Sequence, residues 1–92
     1  MPSILAGEVV EVTPIEGGPT FQIRSIDYWS IQSVLTEDEA TKKIRLTLAL
    51  GLVAIDGDEL AVPDFLERPA VRAVNPLFDA IWEHTWGNSP AG

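Results

Sequence analysis

The chain has no cysteine and only one histidine among its 92 residues. Without cysteine, a disulfide scaffold and a thiolate zinc site are both excluded. The histidine, His84, follows Asp79 and Glu83, and this order does not give the His-Glu-x-x-His pattern of zinc enzymes. Near the predicted end of a helix, His84 is better interpreted as a surface or capping residue. We therefore expect no metal and no cofactor.

Basic charge is also scarce, with six Lys and Arg against fourteen Asp and Glu and a net charge of −8. A surface of this sign is repelled by phosphate backbones, so direct binding of nucleic acid is disfavoured. The same charge keeps a small protein in solution and attracts basic protein partners. The composition therefore favours a protein partner over a nucleic acid.

No apolar run is long enough to suggest a membrane span. The longest lies between Arg45 and Asp56, which is shorter than the roughly 20 residues that cross a bilayer. Residues 1–6 lack the basic start and the apolar stretch of a secretory signal. We expect a soluble, cytoplasmic protein with no membrane partner.

Catalytic motifs are missing as well. No serine lies in a Gly-x-Ser-x-Gly elbow, and Gly17-Gly18 is not followed by the Lys-Ser/Thr pair of a phosphate-binding loop. The acidic residues within 56–59 lack the spacing of a calcium-binding EF-hand. The sequence therefore predicts a protein that is not an enzyme.

The first third of the chain has the pattern of a β-hairpin. Residues 8–13 are rich in β-branched side chains, and residues 20–24 alternate between apolar and polar. The two glycines and two prolines of residues 14–19 are typical of a turn. In this hairpin Phe21 and Ile23 face the core.

A short helix is predicted next, over about residues 26–35, with Ser25 or Asp27 as its N-cap. After it, Thr36 and Glu39 have the spacing of a capping box, in which Thr36 is the N-cap of a second helix.

Residues 44–52 place a large aliphatic side chain at every second position. As a strand they present one apolar face, whereas as a helix they are apolar all round and must be buried or partnered. A helix from Glu37 to about Leu50 is favoured, because leucine prefers helix and no proline or glycine interrupts this stretch. Glu39 and Lys43 add an acid-before-base pair four residues apart. The strand remains an alternative.

Further along, Asp56-Gly57 is a turn signal, and residues 53–62 are predicted to form a second short hairpin or a tight connection. Asp64 is the predicted cap of a brief turn over residues 65–68.

A last helix is predicted to begin with Pro69 at its first position. It restarts or kinks at Asn75-Pro76, because proline cannot donate a helical hydrogen bond. Its main part is residues 77–86, and Gly87 is the predicted C-terminal cap.

Together these elements predict one α+β domain over residues 1–92. A β-hairpin (1–26) packs on a mainly helical part (27–86) of about three helices, which contains the short second hairpin near 53–62. Residues 87–92 are predicted to be a frayed tail.

Three tryptophans are many for a chain too small to bury all of them. Trp82 and Trp86 lie four residues apart and so share one edge of the last helix. They either cover the core or, together with Trp29, anchor a contact with another protein, where tryptophan is enriched.

Several motifs, in this order, resemble the tail assembly chaperones of long-tailed bacteriophages. The similarity covers roughly residues 20–86 and rests on a strand with Phe21-x-Ile-Arg-x-Ile26, the run Arg45-Leu-x-Leu-Ala-Leu-Gly-Leu-Val53, the Asp56-Gly57 turn, and an apolar helix with Leu77-Phe78-x-x-Ile81. The resemblance implies a non-enzymatic protein that binds the tape-measure protein, self-associates and is absent from the finished particle. The host cytoplasm is then its location.

The residues themselves also indicate binding to another protein or to a second copy, because the chain has more apolar surface than its own core can cover. The alternatives are a structural virion accessory protein of the head or tail, and an acidic inhibitor of a nucleic-acid-binding enzyme. The predicted partner-binding residues are Trp82, Trp86, Phe78, Trp29, Leu46 and Leu50.

Overall fold

The structure, a computed structural model that describes residues 7–87, is a small α+β domain with three strands and four helices. This confirms the predicted fold class. In chain order the elements are β1 (Val9–Val12), β2 (Phe21–Arg24), α1 (Tyr28–Leu35), α2 (Ala40–Gly51), β3 (Leu52–Ile55), α3 (Ala61–Glu67) and α4 (Val71–Trp86).

The predicted N-terminal hairpin is confirmed. β1 and β2 pair antiparallel, with Val12 opposite Phe21 and Val10 opposite Ile23. Phe21 and Ile23 are buried, whereas Arg24 is exposed. One face of the hairpin therefore covers the core, as the alternation predicts.

The second predicted hairpin forms only in part. Its turn is present, with positive φ at Asp56 and Gly57 as in a type I′ turn, and Ile55 and Asp58 form an isolated bridge. However, the chain then enters α3 at Ala61 instead of returning as a strand.

β3 pairs with β2 instead, which gives a sheet of order β1-β2-β3. The turn is attached to the same neighbour, because Asp56 N–H donates to the Thr20 carbonyl at 2.7 Å and Thr20 N–H donates to Asp56 Oδ1 at 2.8 Å. β3 therefore completes its hydrogen bonding with a distant strand, which local sequence does not indicate.

Asp27 is the N-cap of α1, one of the two predicted caps. Its carboxylate accepts from Ser30 N–H at 3.2 Å and from Ser30 Oγ at 2.6 Å. The hydrogen bonds from Ser30 lower the pKa of this carboxyl. The stabilisation by this cap is therefore present above the ordinary pKa of aspartate and is lost as the pH falls through the lowered value.

The capping box predicted at Thr36 is wrong. Thr36 ends α1, and its hydroxyl donates to the Gln32 carbonyl at 2.9 Å. α2 begins three residues later than predicted, at Ala40, with Glu39 in the cap position. Thr36 therefore belongs to the end of the preceding helix, where its hydroxyl satisfies an orphan carbonyl, and it lies three residues before the cap position of α2.

The ambiguous run is helical up to Gly51, which confirms the favoured interpretation, and Leu52 begins β3. On this helix Thr47, Leu48 and Gly51 are buried, and Leu46 is half-buried. The helix is therefore packed on one side only, and part of its apolar surface remains accessible.

Two details of the last helices differ from prediction. Asp64 lies inside α3 and does not cap it. α4 begins at Val71 after the N-cap Ala70, so Pro69 precedes the helix. α4 is one continuous helix that contains Pro76, so of the two predicted outcomes, a restart or a kink, the restart does not occur. The C-terminal cap is confirmed, with Gly87 left-handed at φ 74°. Most of the predicted tail lies outside the described residues.

The core lies between the sheet and α4. Ile23, Leu77 and Ile81 have no exposed surface, and Phe21 and Leu48 pack with them. Within residues 7–87 no helix is long and apolar enough to cross a bilayer.

Candidate functional site

α4 presents two adjacent stripes of apolar side chains. One, at Ala73, Leu77 and Ile81, is buried in the core. The other, at Phe78, Trp82 and Trp86, follows one residue later at spacings of four, so its side chains line up along the helix beside the first stripe. We call this second set the aromatic ridge.

The ridge is a continuous aromatic stack. Phe78 and Trp82 meet edge to face, with ring centroids 6.2 Å apart. Trp82 and Trp86 stack nearly parallel, with centroids 5.9 Å apart and 19° between the ring planes. Such contacts contribute about 0.5–1.5 kcal/mol beyond burial and fix the ring orientations. The ridge is therefore a preformed surface.

A groove runs along the ridge on the side of α1 and α2. It has a volume of about 300 Å³, and we call it the aromatic groove; its lining residues are Val34, Leu35, Lys43, Phe78, Trp82 and Trp86. Two of its lining side chains are largely exposed to solvent, Leu35 at 54% and Trp86 at 57%. This open apolar surface lies beside the core and is not covered by it.

The indole N–H of Trp82 has no acceptor. The atom is buried and makes no hydrogen bond to any described residue. A buried donor without a partner costs about 1–3 kcal/mol. The burial of the Trp82 indole N–H therefore lowers the stability of the fold.

Charges of opposite sign flank the groove. Lys43 lines it on the α2 side. Asp79 and Glu83 are exposed, and each follows a ridge residue by one position, on the side of the ridge away from the core stripe. The only ion pair within residues 7–87 joins Lys42 Nζ to Glu39 at 3.6 Å. The predicted Glu39–Lys43 pair is therefore absent.

Two side chains near the end of α4 attach it to the sheet region. His84 Nε2 donates to the Glu8 carbonyl at 2.7 Å, and Thr85 Oγ1 accepts from Ile26 N–H at 3.0 Å. These bonds hold the helix end, and with it the ridge, at a defined position. His84 thus makes a structural hydrogen bond at the predicted helix end.

The structure brings together three of the six predicted partner-binding residues: Phe78, Trp82 and Trp86. Trp29 is 78% exposed and meets Tyr28 edge to face, with no part in the groove. Leu46 lines a separate depression on α2, of about 340 Å³. Leu50 lines a third cavity, near Arg24.

Three lining residues were not predicted: Val34, Leu35 and Lys43. Leu35 has a weak sequence signal, because it is a large apolar residue at the end of a helix and is followed by polar positions. Lys43 has none, since it looks like any solvated lysine of an amphipathic helix. Only the approach of α1 and α2 to α4 places these residues together.

Other cavities lie elsewhere in the described part of the chain. The cavity beside Leu50, of about 250 Å³, contains polar groups that are already engaged. There Arg24 Nε donates to the Leu50 carbonyl at 2.9 Å, and Asp27 caps α1. Within the described part of the chain no three His, Asp or Glu side chains are grouped so as to hold a metal ion.

No protein-family model, curated protein or solved structure matches the chain. The resemblance to tail assembly chaperones therefore stays a prediction.

Proposed function

We propose that this protein is a non-enzymatic assembly factor that binds an apolar helical segment of another protein in the aromatic groove. The observation that supports this most directly is the exposure of Trp86 and Leu35 on the two walls of a preformed apolar groove. Tryptophan is strongly enriched among the residues that dominate protein–protein binding energy.

The shape of the site favours a helix as the bound element. The ridge repeats at every fourth residue along α4, and an amphipathic helix presents its own apolar residues at a matching repeat. The bound segment then places aliphatic side chains against Phe78 and Trp82.

The sequence resemblance makes the proposal more specific. If it holds, the bound segment belongs to a tape-measure protein and the protein acts in the cytoplasm of a bacterial host. A structural virion protein and an acidic inhibitor of a nucleic-acid-binding enzyme remain the alternatives.

The test is affinity capture from the lysate of the native source with tagged wild type, Trp82→Ala and Trp86→Ala, followed by identification of the bound proteins. We expect one protein to be lost from both variants. Trp29→Ala is the matched control, because it removes an exposed tryptophan outside the groove and should retain that protein. Capture that is equal in all four samples would contradict the proposal.

The nature of the captured protein and the composition of particles separate the alternatives. Tape-measure capture with no protein in purified particles supports a chaperone. Recovery of the protein from purified particles supports a structural component instead. Capture of a basic enzyme that DNA displaces supports the inhibitor.

A further inference from the structure

The exposed side of α2 carries an arginine between two sets of mainly apolar side chains. On a helix of about 3.6 residues per turn, residues 41, 44 and 48 lie to one side of Arg45, and residues 42, 46 and 49 lie to the other. The alternating aliphatic run therefore places Ile44 and Leu46 on opposite sides of Arg45. We call the surface formed by these residues and Arg45 the α2 face.

A depression lies on the first side of Arg45, where α2 meets α3 and α4. It has a volume of about 220 Å³, and its lining includes Ile44 and Leu48 of α2, Leu66 of α3 and Val74 of α4. Arg45 is the only charged residue among its lining residues. The depression therefore fits an apolar group that lies beside a negative charge.

The second depression lies on the opposite side of Arg45. It has a volume of about 340 Å³, and its lining includes Leu46 and Ala49. The charged residues of its lining are Glu37, Lys42 and Arg45. Positive charge therefore exceeds negative charge here, although the protein as a whole has a net charge of −8. Because Arg45 lines both depressions, it forms the boundary between them.

Arg45 is positioned to bind a group from another molecule. It is exposed, and within residues 7–87 it forms no ion pair. Its neighbour Lys42 instead contacts Glu39 at 3.6 Å. A guanidinium group binds a carboxylate through two parallel hydrogen bonds, which fix the position of the acid. A carboxylate is therefore the group that best complements the boundary between the two depressions.

The size and arrangement of the depressions favour a polypeptide over a small molecule. The first is smaller than the roughly 300–1,000 Å³ typical of small-molecule sites. The two also lie on opposite flanks of a helix that is about 10–12 Å wide with its side chains. In an extended chain, side chains i, i+2 and i+4 face the same way and span about 13 Å. An extended segment across α2 can therefore place an apolar side chain in each depression and an acid at Arg45.

We propose that the α2 face is a second docking surface, which binds an extended segment of a partner protein with apolar side chains at positions i and i+4 and Asp or Glu at position i+2. Lys43, the α2 residue that lines the aromatic groove, lies on the opposite side of the helix from Arg45. The two surfaces are therefore separate, and the inference does not depend on the proposed function. The net charge of −8 repels an acidic segment, so binding is weak and depends on Arg45.

The probe is a synthetic peptide with the central sequence Leu-Thr-Glu-Thr-Leu, blocked at both ends so that its glutamate is the only charge. Threonine favours the extended conformation. Titration of the peptide into the full chain is followed by amide chemical shifts in NMR spectra. We expect shifts at residues 41–49 and at Leu66 and Val74. A peptide that causes no shifts up to millimolar concentration would overturn the proposal, as would shifts centred on Phe78 and Trp86.

An exchange of charges tests the role of Arg45. Arg45→Glu should weaken binding of the glutamate peptide by about tenfold or more, because a charged hydrogen-bonded pair is replaced by two acids. The same variant should bind a peptide with Lys in place of Glu better than wild type does. Equal binding of the glutamate peptide by wild type and Arg45→Glu would overturn the proposal.

Arg72→Glu is the matched control for net charge. Arg72 is exposed on α4 and lies on the other side of that helix from Val74, so this variant should bind the glutamate peptide nearly as well as wild type. If it loses as much affinity as Arg45→Glu, net charge and not the α2 face governs binding, and the proposal is wrong.

Two further variants test the apolar contacts and the separation of the two surfaces. Ala49→Gln adds polar atoms to the second depression without a change of charge and should weaken binding of the glutamate peptide. Unchanged binding would contradict the arrangement of two depressions and overturn the proposal. Trp86→Ala should bind this peptide as wild type does. A loss of binding in Trp86→Ala would assign the peptide to the aromatic groove and overturn the inference, while the proposed function would stand.

Discussion

Two stripes of α4, one residue apart, have opposite roles. Leu77 and Ile81 have no exposed surface and join the helix to the sheet, whereas Trp86 on the neighbouring stripe is more than half exposed. Both stripes are apolar, so hydrophobicity does not separate them. The comparison shows that one helix contributes to the fold with one face and leaves apolar side chains accessible on the adjacent face.

The largest expected effect comes from the buried stripe. Ile81→Ala should lower the free energy of unfolding by about 2–5 kcal/mol, because it removes transfer free energy and leaves a cavity at a fully buried site. Urea denaturation measures the change. Ile81→Val, the conservative control, should cost only about 0.5–1.5 kcal/mol. A loss below 1 kcal/mol for the alanine variant would mean that the stripe is not packed as described.

The attachment of the helix end is tested next. Thr85→Val keeps the shape of the side chain but removes the acceptor for Ile26 N–H, and Ile26 is buried. The unpaired donor should cost about 1–3 kcal/mol in the same denaturation experiment. Thr85→Ser retains the hydroxyl and is the control. Equal stability of the two variants would show that Ile26 N–H finds water instead.

Close packing between α2 and α4 gives a smaller effect. A Cβ at Gly51 would lie 2.7 Å from two side-chain atoms of Ile81. Gly51→Ala should therefore cost about 1–3 kcal/mol from overpacking, partly offset by a gain of about 1 kcal/mol in helix propensity.

A double-mutant cycle isolates that contact. In an Ile81→Ala background, the same Gly51→Ala change should be neutral or stabilising, because the clashing atoms are gone. Unchanged cost in both backgrounds would place the strain elsewhere than at Ile81.

The exposed stripe should give the smallest change in stability. Trp86→Ala is expected to cost about 0.5–1.5 kcal/mol, the range typical of its stacking with Trp82. The same variant should nevertheless lose partner capture. Thermal unfolding and affinity capture with the same variant check both points. A stability loss as large as that of Ile81→Ala would assign Trp86 to the fold and remove the contrast between the stripes.

Much of the secondary structure could be predicted because its causes are local. The alternation at Phe21 and Ile23 and the left-handed cap at Gly87 depend on a few neighbouring residues. Leucine content favoured helix over strand in the run that ends at Gly51. The failures have a common cause, which is that the local sequence fits two structures. Thr36 can end one helix or begin the next, and the chain after Gly57 can return as a strand or enter a helix. Contacts distant in sequence, or the preceding helix, selected one of them.

The residues of the candidate site also fall into two groups, those that local sequence predicts and those that only the tertiary structure places. The sequence by itself determined the aromatic ridge, because Phe78, Trp82 and Trp86 recur at the helical repeat, and it determined the acidic net charge. Only the tertiary structure decided that Leu35 and Lys43 face this ridge, and that Trp29 and Leu46 do not belong to the groove. The physical reason is that helix periodicity fixes which side chains share a face, whereas the packing of α1 and α2 on α4 decides which face stays open.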